Sequence, residues 1–295
     1  MSDIKERIAA NAKETETYLR RLSAREDQDI QGLFDSETYS LLGGGKRIRP
    51  FIVKEVCAAL GGDRKDAEPY GAALEMVHTY SLIHDDLPCM DDDDMRRGRP
   101  TNHRVYGYST ALLAGDALLT RAFLVAAMNS HLTDEQNLCA VRLIAQAAGD
   151  EGMIGGQVID LRGESQKLGF DELLRLHKLK TGALIKCAAA LGALAAGYGQ
   201  GSREYDEAVA YAEGIGLAFQ VIDDVLDATS TEEELGKTVG SDVARGKTTF
   251  LSYFDTEGAV SYARELTDTA VRAIDSWQNT DTLTELAYYL LDRKN

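Results

Sequence analysis

The sequence of 295 residues lacks the features that mark membrane, secreted and nucleic-acid-binding proteins. Its longest uncharged, mainly apolar run covers residues 187–199, whereas a membrane-spanning helix needs about 20 residues. Residues 1–22 contain no apolar stretch typical of a secretion signal or transit peptide. The net charge of −16 argues against binding nucleic acid or anionic lipid. We therefore expect a soluble, cytoplasmic protein without a transmembrane segment.

Cysteine and proline are also scarce. The 4 cysteines, at positions 57, 89, 139 and 187, form no C-x-x-C pair, which argues against a disulfide framework or a zinc site. There are only 4 prolines, no linker rich in Pro, Ser or Gly, and no internal repeat. These absences predict one domain covering residues 1–295.

Apolar residues recur at three- and four-residue spacing through most of the chain, and alternating β-branched stretches are almost absent. Glycine and proline breaks divide this pattern into about ten or more helical stretches. Residues 171–196 are expected to form one of them. The clearest, residues 205–227, has a continuous apolar stripe expected to face the core, formed by Ala208, Ala212, Ile215, Phe219, Ile222 and Leu226. The fold class is all-α.

Two aspartate clusters stand out. DDLPCMDDDD, residues 85–94, places six aspartates in ten positions, and these carboxylates repel one another unless cations neutralise them. An acidic run alone is more often solvated surface. The second cluster, DDVLD at 223–227, ends a long apolar helix. There Gln220, Asp223 and Asp227 are spaced i, i+3, i+7 and share one helix face.

Carboxylate oxygens in such clusters suit Mg²⁺, which is often held by one or two carboxylates together with substrate phosphates. A calcium-binding loop is a rival, but neither cluster has the D-x-[DN]-x-[DN]-G pattern that it requires. The two clusters are therefore candidates for holding a metal-bound diphosphate between them.

Basic residues that could bind a diphosphate occur in groups. GGGKRIRP (43–50) places glycines before three cations, and RRGRP (96–100) follows the first aspartate cluster. For the glycines alone, a helix C-cap and turn is an equally good interpretation. The segment 240–248 resembles a nucleotide-binding P-loop, but five residues separate its glycines where four are required.

These segments together resemble the trans-prenyltransferase family, the chain-elongating isoprenyl diphosphate synthases, and most closely its bacterial farnesyl diphosphate synthases. GGGKRIRP, DDLPCMDDDDMRRGRPTNH, GGQVIDL, KTG, FQVIDDVLD and GKTVGSDVARGKTTF occur in the order of that family, over roughly residues 39–250. The resemblance implies a helical bundle around a central cavity, a homodimer, and Mg²⁺, with three ions in each active site.

The resemblance also assigns roles to individual residues. The implied metal ligands are Asp85, Asp86, Asp91, Asp223 and Asp227. The implied contacts to the allylic diphosphate are Arg96, Lys180, Lys237 and Lys247, with Thr181 and Gln220 beside the reacting carbon. Asp224 completes the catalytic set. The implied isopentenyl diphosphate site consists of Lys46, Arg49, His78 and Arg97.

The implied reaction is ionisation of an allylic diphosphate (dimethylallyl or geranyl), with charge on the departing pyrophosphate stabilised by metals and cations. The isopentenyl double bond then attacks the allylic cation, and proton loss gives a product five carbons longer. Tyr80 lies five residues before Asp85, about 7.5 Å along a helix axis. An aromatic residue there resembles the farnesyl-forming pattern, although it could simply fill core.

Three alternatives remain open from the sequence. A geranylgeranyl diphosphate synthase would use the same motifs with a deeper cavity, and the two extra residues Pro88 and Cys89 match a subclass that makes more than one length. A class I terpene cyclase would need no second diphosphate site, so GGGKRIRP and the paired arginines argue against it. A non-catalytic acidic cation-binding protein would not need Lys180, Lys237 or Lys247.

Overall fold

The computed structural model describes residues 2–229 and 247–293, and these residues form more than ten α-helices and almost no sheet. The α-helices, a π-helix, a 3₁₀-helix and two short strands are α1 (Ser2–Ser23), α2 (Gln31–Leu41), α3 (Ile48–Ala59), α4 (Arg64–Asp85), β1 (Met95–Arg96), β2 (Arg99–Pro100), α5 (Asn102–Tyr106), α6 (Tyr108–Ala127), α7 (Asp134–Ala148), α8 (Met153–Gly163), α9 (Phe170–His177), the π-helix (Lys178–Gly182), α10 (Ala183–Ala195), α11 (Arg203–Thr229), the 3₁₀-helix (Phe250–Ser252), α12 (Thr256–Ala273) and α13 (Asp281–Leu291). The all-α prediction is confirmed.

Several helix starts follow from capping residues in the sequence. The Asp63 carboxylate accepts the backbone N–H of Lys65 at 2.9 Å and begins α4. Thr133 and Gln136 form a reciprocal capping box at the start of α7. These contacts satisfy amide groups that have no partner within the helix, and each typically contributes about 1 kcal/mol.

The apolar side chains form two clusters. The larger cluster joins α1, α3, α4, α6, α7, α10, α13 and the first half of α11. The smaller one joins α9, the second half of α11, Phe250 and α12. Helix α11 contributes to both clusters, and its C-terminal half, which carries the second aspartate cluster, packs in the smaller one with α9, Phe250 and α12. Within the predicted stripe of α11, Phe219 and Leu226 are only partly buried, whereas the other four residues are buried.

The helix predicted for residues 171–196 is present as continuous helical backbone over residues 170–195, but it contains a π-helical turn that the sequence did not predict. A π-helix, Lys178–Gly182, separates α9 from α10. A π-helical turn has one residue more than an α-helical turn and changes the direction in which the following side chains project, and such turns are frequent at functional sites. This one carries Lys180 and Thr181.

One helix has an unusual surface. Helix α6 is long and apolar enough to cross a membrane by length and composition, with one third of its most apolar window buried. A single helix of this kind is weak support for a membrane span. Its exposed side chains include Leu112, Leu113 and Leu124, and Met128 caps its end with 70% of its surface exposed.

Candidate active site

The first aspartate cluster lies where α4 ends. Asp85 is the last residue of α4, and the backbone N–H of Asp86 still donates to the Leu82 carbonyl at 3.2 Å. The loop then folds back, because the N–H of Asp91 donates to the Asp85 carbonyl at 2.8 Å. A short hairpin, β1 paired with β2, follows the cluster. The chain therefore returns its aspartates and its arginines to the same end of α4.

Asp86 is neutralised by the hairpin that follows it. Its Oδ1 atom accepts a hydrogen bond from Nε of Arg96 at 2.7 Å and lies 2.6 Å from Nη2, and its side chain is 4% exposed. Asp93 lies further away, 3.9 Å from the same guanidinium. Burial raises the pKa of Asp86, and the hydrogen bond and charge of Arg96 oppose that rise.

Asp85 is less well neutralised. Burial raises the pKa of its carboxyl to about 6, with Lys180 and Arg96 opposing the shift and the charges of Asp91 and Asp86 adding to it. A buried carboxylate in this position gains from a bound cation. The charge of Lys180, from the π-helix, is the largest effect that opposes this rise in pKa.

Lys180 forms part of a second ionic group. Its ammonium lies 2.5 Å from Oδ2 of Asp160 on α8, and the ammonium of Lys247 lies 3.1 Å from the same oxygen. Glu164 lies 3.6 Å from Lys247. Burial alone would raise the pKa of Asp160, but the two lysines hold it below its ordinary value. Thr181, the next residue of the π-helix, is partly exposed.

The polar face predicted on α11 exists. The amide nitrogen of Gln220 donates to Oδ2 of Asp223 at 3.3 Å, and its oxygen lies 3.2 Å from Nδ1 of His177. His177 stacks on Phe250 with ring centroids 5.0 Å apart. Burial lowers the pKa of His177 to about 4, so its ring is neutral near pH 7. A neutral ring can donate one N–H to the amide oxygen of Gln220.

The three aspartates of the second cluster have different surroundings. Asp223 pairs with the guanidinium of Arg293, near the end of the described chain. The Oδ2 atom of Asp224 accepts the backbone N–H of Phe250 at 2.7 Å, which ties the 3₁₀-helix to α11. Asp227 is buried, with 4% of its surface exposed. Asp223 is therefore the most accessible of the three.

The charges of four arginines act on His78 of α4. Burial lowers the pKa of its imidazole well below the ordinary value, and the charges of Arg49, Arg97, Arg47 and Arg96 lower it further. A neutral imidazole beside several guanidinium groups is suited to an anionic ligand. Two nitrogens of Arg47 are held by the fold, because its Nη1 lies 2.6 Å from Glu75 and its Nη2 donates to the Leu41 carbonyl.

The glycine run before these arginines has a structural reason. Gly44 and Gly45 have φ values of 84° and 122°, which disfavour other residues. A Cβ on Gly45 would lie 2.8 Å from Nη1 of Arg97, and that guanidinium also donates to the Gly44 carbonyl. Lys46 is exposed, with its ammonium 5.7 Å from the Tyr289 ring centroid. The run thus supports Arg97 directly.

Tyr80 is 5% exposed and packs edge-on against His84, with ring centroids 5.6 Å apart. Among the described residues its hydroxyl has no hydrogen-bond partner, and burial raises its pKa to about 12. A buried hydroxyl without a partner costs free energy in a purely structural aromatic.

Lys237 lies outside the described residues. Within residues 2–229 and 247–293, no group of three His, Cys, Asp or Glu side chains is gathered around one point as a ready-made metal site. The donors present are carboxylates at the end of α4 and on α11, which is the oxygen chemistry that Mg²⁺ prefers. This arrangement fits an ion that keeps water and takes further ligands from a phosphate.

A family model described as polyprenyl synthetase matches residues 31–286 of this chain. The chain belongs to the polyprenyl synthetase family. It is therefore a chain-elongating prenyltransferase, in agreement with the all-α fold and with the resemblance found in the sequence.

Individual relatives agree with this assignment. Farnesyl diphosphate synthase of Bacillus subtilis is 47% identical over 228 residues, which are 76% of each chain. Geranylgeranyl pyrophosphate synthase 9 of Arabidopsis thaliana is 44% identical over 87% of this chain and 73% of its own. The apo structure of an FPP/GFPP synthase from Zymomonas mobilis superposes with a TM-score of 0.87 at 35% identity, over 98% of this chain and 99% of that one.

Three features of the site were not assigned from the sequence: Asp160, His177 and Arg293. Asp160 lies within GGQVIDL, so its motif was visible without a role for its carboxylate. His177 and Arg293 lie 43 and 70 residues from their partners Gln220 and Asp223. No local pattern indicates such contacts.

Proposed function

We propose that this prenyltransferase is a farnesyl diphosphate synthase that adds isopentenyl diphosphate to dimethylallyl or geranyl diphosphate. The observation that carries the proposal is the presence of two distinct cationic groups near the end of α4. One contains Lys180 and Lys247, which both contact Asp160. The other contains Arg97, whose guanidinium donates to the Gly44 carbonyl, and Arg49, and the charges of both lower the pKa of His78. A condensation needs two diphosphate sites, whereas a cyclase needs one.

In this proposal Mg²⁺ binds with the allylic diphosphate. The ligands would be Asp85, Asp86, Asp91, Asp223 and Asp227, and the raised pKa of Asp85 supports a cation at that position. When bound, the metal ions stabilise the negative charge of the departing pyrophosphate. The family resemblance suggests three ions per site.

The protein's own side chains would hold the two substrates and stabilise the developing charges. Arg96, Lys180, Lys237 and Lys247 hold the allylic diphosphate and stabilise charge on its leaving oxygen. Thr181 and Gln220 present oxygens to the allylic cation, and the contact with His177 orients the amide of Gln220. Lys46, Arg49, His78 and Arg97 hold isopentenyl diphosphate so that its double bond faces the cation.

Tyr80 is proposed to limit the product to fifteen carbons. Its position five residues before Asp85 and its buried, unpartnered hydroxyl among the described residues support a role as a barrier to the growing chain. The relatives named as geranylgeranyl synthases make a twenty-carbon product the second candidate.

The testing experiment incubates the purified protein with isopentenyl diphosphate and either dimethylallyl or geranyl diphosphate, with and without Mg²⁺, and separates the products by length. A Mg²⁺-dependent C15 product is expected. Tyr80→Ala should lengthen it, and Tyr80→Phe, the matched control, should not. A C20 product from the unchanged protein would establish the second candidate, and no condensation by a folded protein would overturn both.

We further propose that the whole chain, residues 1–295, forms one cytoplasmic domain and acts as a homodimer. The exposed apolar face of α6, with Leu113 and Leu124 each 56% exposed, supports a second copy as its covering. Helix α6 also carries the charged residues Asp116 and Arg121, which a membrane span would disfavour. Light scattering on the protein and on Leu113→Asp tests this, and a monomeric unchanged protein would contradict it.

A further inference from the structure

Asp160 is the carboxylate on which two lysines converge. The ammonium groups of Lys180 and Lys247 lie 2.5 Å and 3.1 Å from the same atom, Oδ2. The side chains of Asp160 and Lys247 are 11% and 14% exposed and that of Lys180 is 29% exposed, so water screens the contact with Lys247 less than the contact with Lys180. The lysines come from positions 20 and 87 residues away along the chain.

The backbone of α8 beside Asp160 also contacts Lys180. Gly156 precedes Asp160 by four residues on α8, so both face the same side of the helix. A Cβ on Gly156 would lie 2.3 Å from the backbone nitrogen of Lys180 and 2.6 Å from its Cα. Helix α8 therefore contacts the backbone of Lys180 at Gly156 and the ammonium of Lys180 at Asp160. One helix face fixes both ends of Lys180.

The charges explain why a carboxylate is needed there. Two ammonium groups that approach the same point repel each other, and burial increases that repulsion. One carboxylate between them offsets the repulsion and removes a choice of rotamers from two long side chains. Asp160 and the two lysines together carry one net positive charge, which can attract an anion, and the more exposed Glu164, 3.6 Å from Lys247, partly offsets it.

We propose that Asp160 is a positioning residue that holds Lys180 and Lys247 together in readiness for the diphosphate leaving group. The inference rests on the proposed role of these lysines in binding the allylic diphosphate. Asp160 does not itself touch the substrate. It confines the two cations to one place before the substrate arrives, which lowers the entropic cost of forming the site.

The first test replaces the charge and keeps the shape. Asp160→Asn should lower kcat/KM for the allylic diphosphate by about tenfold or more, the value of one or two hydrogen bonds to charged groups. The KM for isopentenyl diphosphate should stay within about twofold, since that site uses other residues. Asp160→Glu, which retains the charge, should recover part of the loss. Equal changes in the kinetic constants for both substrates would overturn the proposal.

The matched control is Glu172→Gln. Glu172 pairs with Arg162 of the same helix α8 at 2.7 Å, on an exposed surface away from the lysines. The substitution Glu172→Gln removes one carboxylate that supports α8, and this carboxylate does not pair with Lys180 or Lys247. The control should leave the kinetic constants for both substrates unchanged. A loss equal to that of Asp160→Asn would show that α8 needs only general support and would contradict the positioning role.

A double-mutant cycle separates positioning from folding. If Asp160 acts through Lys180, Asp160→Asn should cost much less in a Lys180→Ala background than in the unchanged chain. Additive losses in the two backgrounds would contradict the proposal. Circular dichroism of the single and double variants identifies any that have lost the fold. If Asp160→Asn has lost it, the cycle is made with Asp160→Glu instead.

A binding measurement keeps this inference separate from the proposed function. Calorimetry with inorganic pyrophosphate, with and without Mg²⁺, should show weaker binding to folded Asp160→Asn and unchanged binding to Glu172→Gln. Unchanged binding to Asp160→Asn would overturn the inference even if the protein makes farnesyl diphosphate. Absence of condensation would overturn the proposed function, while the binding difference would still support Asp160 as the holder of the lysines.

Discussion

The two aspartate clusters obtain their partners in different ways. The first is followed by the hairpin that neutralises it, and Arg96 lies only 10 residues from Asp86. The second draws its partners from distant segments, since Phe250 and Arg293 lie 26 and 70 residues from Asp224 and Asp223. Local sequence therefore assembles one cluster, while packing of α11 assembles the other.

The two clusters also differ in how burial acts on them. At the first, burial raises the pKa of Asp85 to about 6, which favours a protonated or metal-bound carboxylate. At the second, burial lowers the pKa of His177 to about 4, which keeps the ring beside Gln220 neutral. Burial therefore favours a bound cation at Asp85 in the first cluster and a neutral His177 ring beside Gln220 at the second. Four predictions test this contrast.

The largest effect is expected from removing a proposed metal ligand in either cluster. Asp85→Ala and Asp223→Ala should each lower kcat by about 10³-fold, because metal stabilisation of the leaving group contributes several kcal/mol. The helical circular dichroism should be retained. Asp92→Asn is the control: Asp92 is exposed at φ 53°, a conformation that asparagine tolerates. Equal losses for Asp92→Asn would mean that total acidity matters more than position.

The next prediction concerns acid stability without metal. His177 has a folded pKa near 4 against 6.5 in the unfolded chain, so its contribution to stability is lost as pH falls between these values. The pKa of Asp85 is raised, so its contribution is lost as pH rises through about 6. Urea unfolding at pH 7 and 4.5 measures both effects.

His177→Gln should therefore lose less stability on acidification than the unchanged protein, by at most about 3 kcal/mol. Asp85→Asn should differ in the opposite direction, because it lacks the carboxyl that takes up a proton in the folded state. If both variants shifted in the same direction, the contrast between the clusters would be wrong.

A tenfold effect is expected where the first cluster meets its hairpin. Arg96 contacts Asp86 through two nitrogens at 2.7 and 2.6 Å, and a lysine cannot reproduce both. Arg96→Lys should lower kcat/KM for the allylic substrate about tenfold. Arg104→Lys is the matched control, since Arg104 pairs with Asp94 of the same run on an exposed surface. Steady-state kinetics that rank the two variants equally would contradict the special position of Arg96.

The smallest effect is expected at the second cluster. Arg293 pairs with Asp223 and would compete with a cation for its carboxylate, which is 43% exposed. Arg293→Met should therefore reduce the Mg²⁺ concentration for half-maximal rate about two- to threefold. Arg264→Met is the control, because Arg264 lies 3.6 Å from Asp292. A raised Mg²⁺ requirement in Arg293→Met would show that the arginine supports the site rather than competing for it.

Much of the fold could be predicted, because it depends on periodic patterns. The spacing of Ala208, Ala212 and Ile215 places one face of α11 in the core, and the structure buries all three. The π-helix at Lys178–Gly182 was not predicted, since nothing in the apolar spacing of 171–196 distinguishes a π turn from an α turn. Its close contact with Gly156 exists only after α8 packs against it.

The sequence by itself determined the helical class, the family and the identity of the charged motifs, because each depends on residues that are near one another in the chain. Tertiary structure alone decided that Asp160 joins Lys180 to Lys247, that His177 supports Gln220, and that Asp223 meets Arg293. These contacts join segments 20 to 87 residues apart. They arise only when burial of the apolar helix faces brings those segments together.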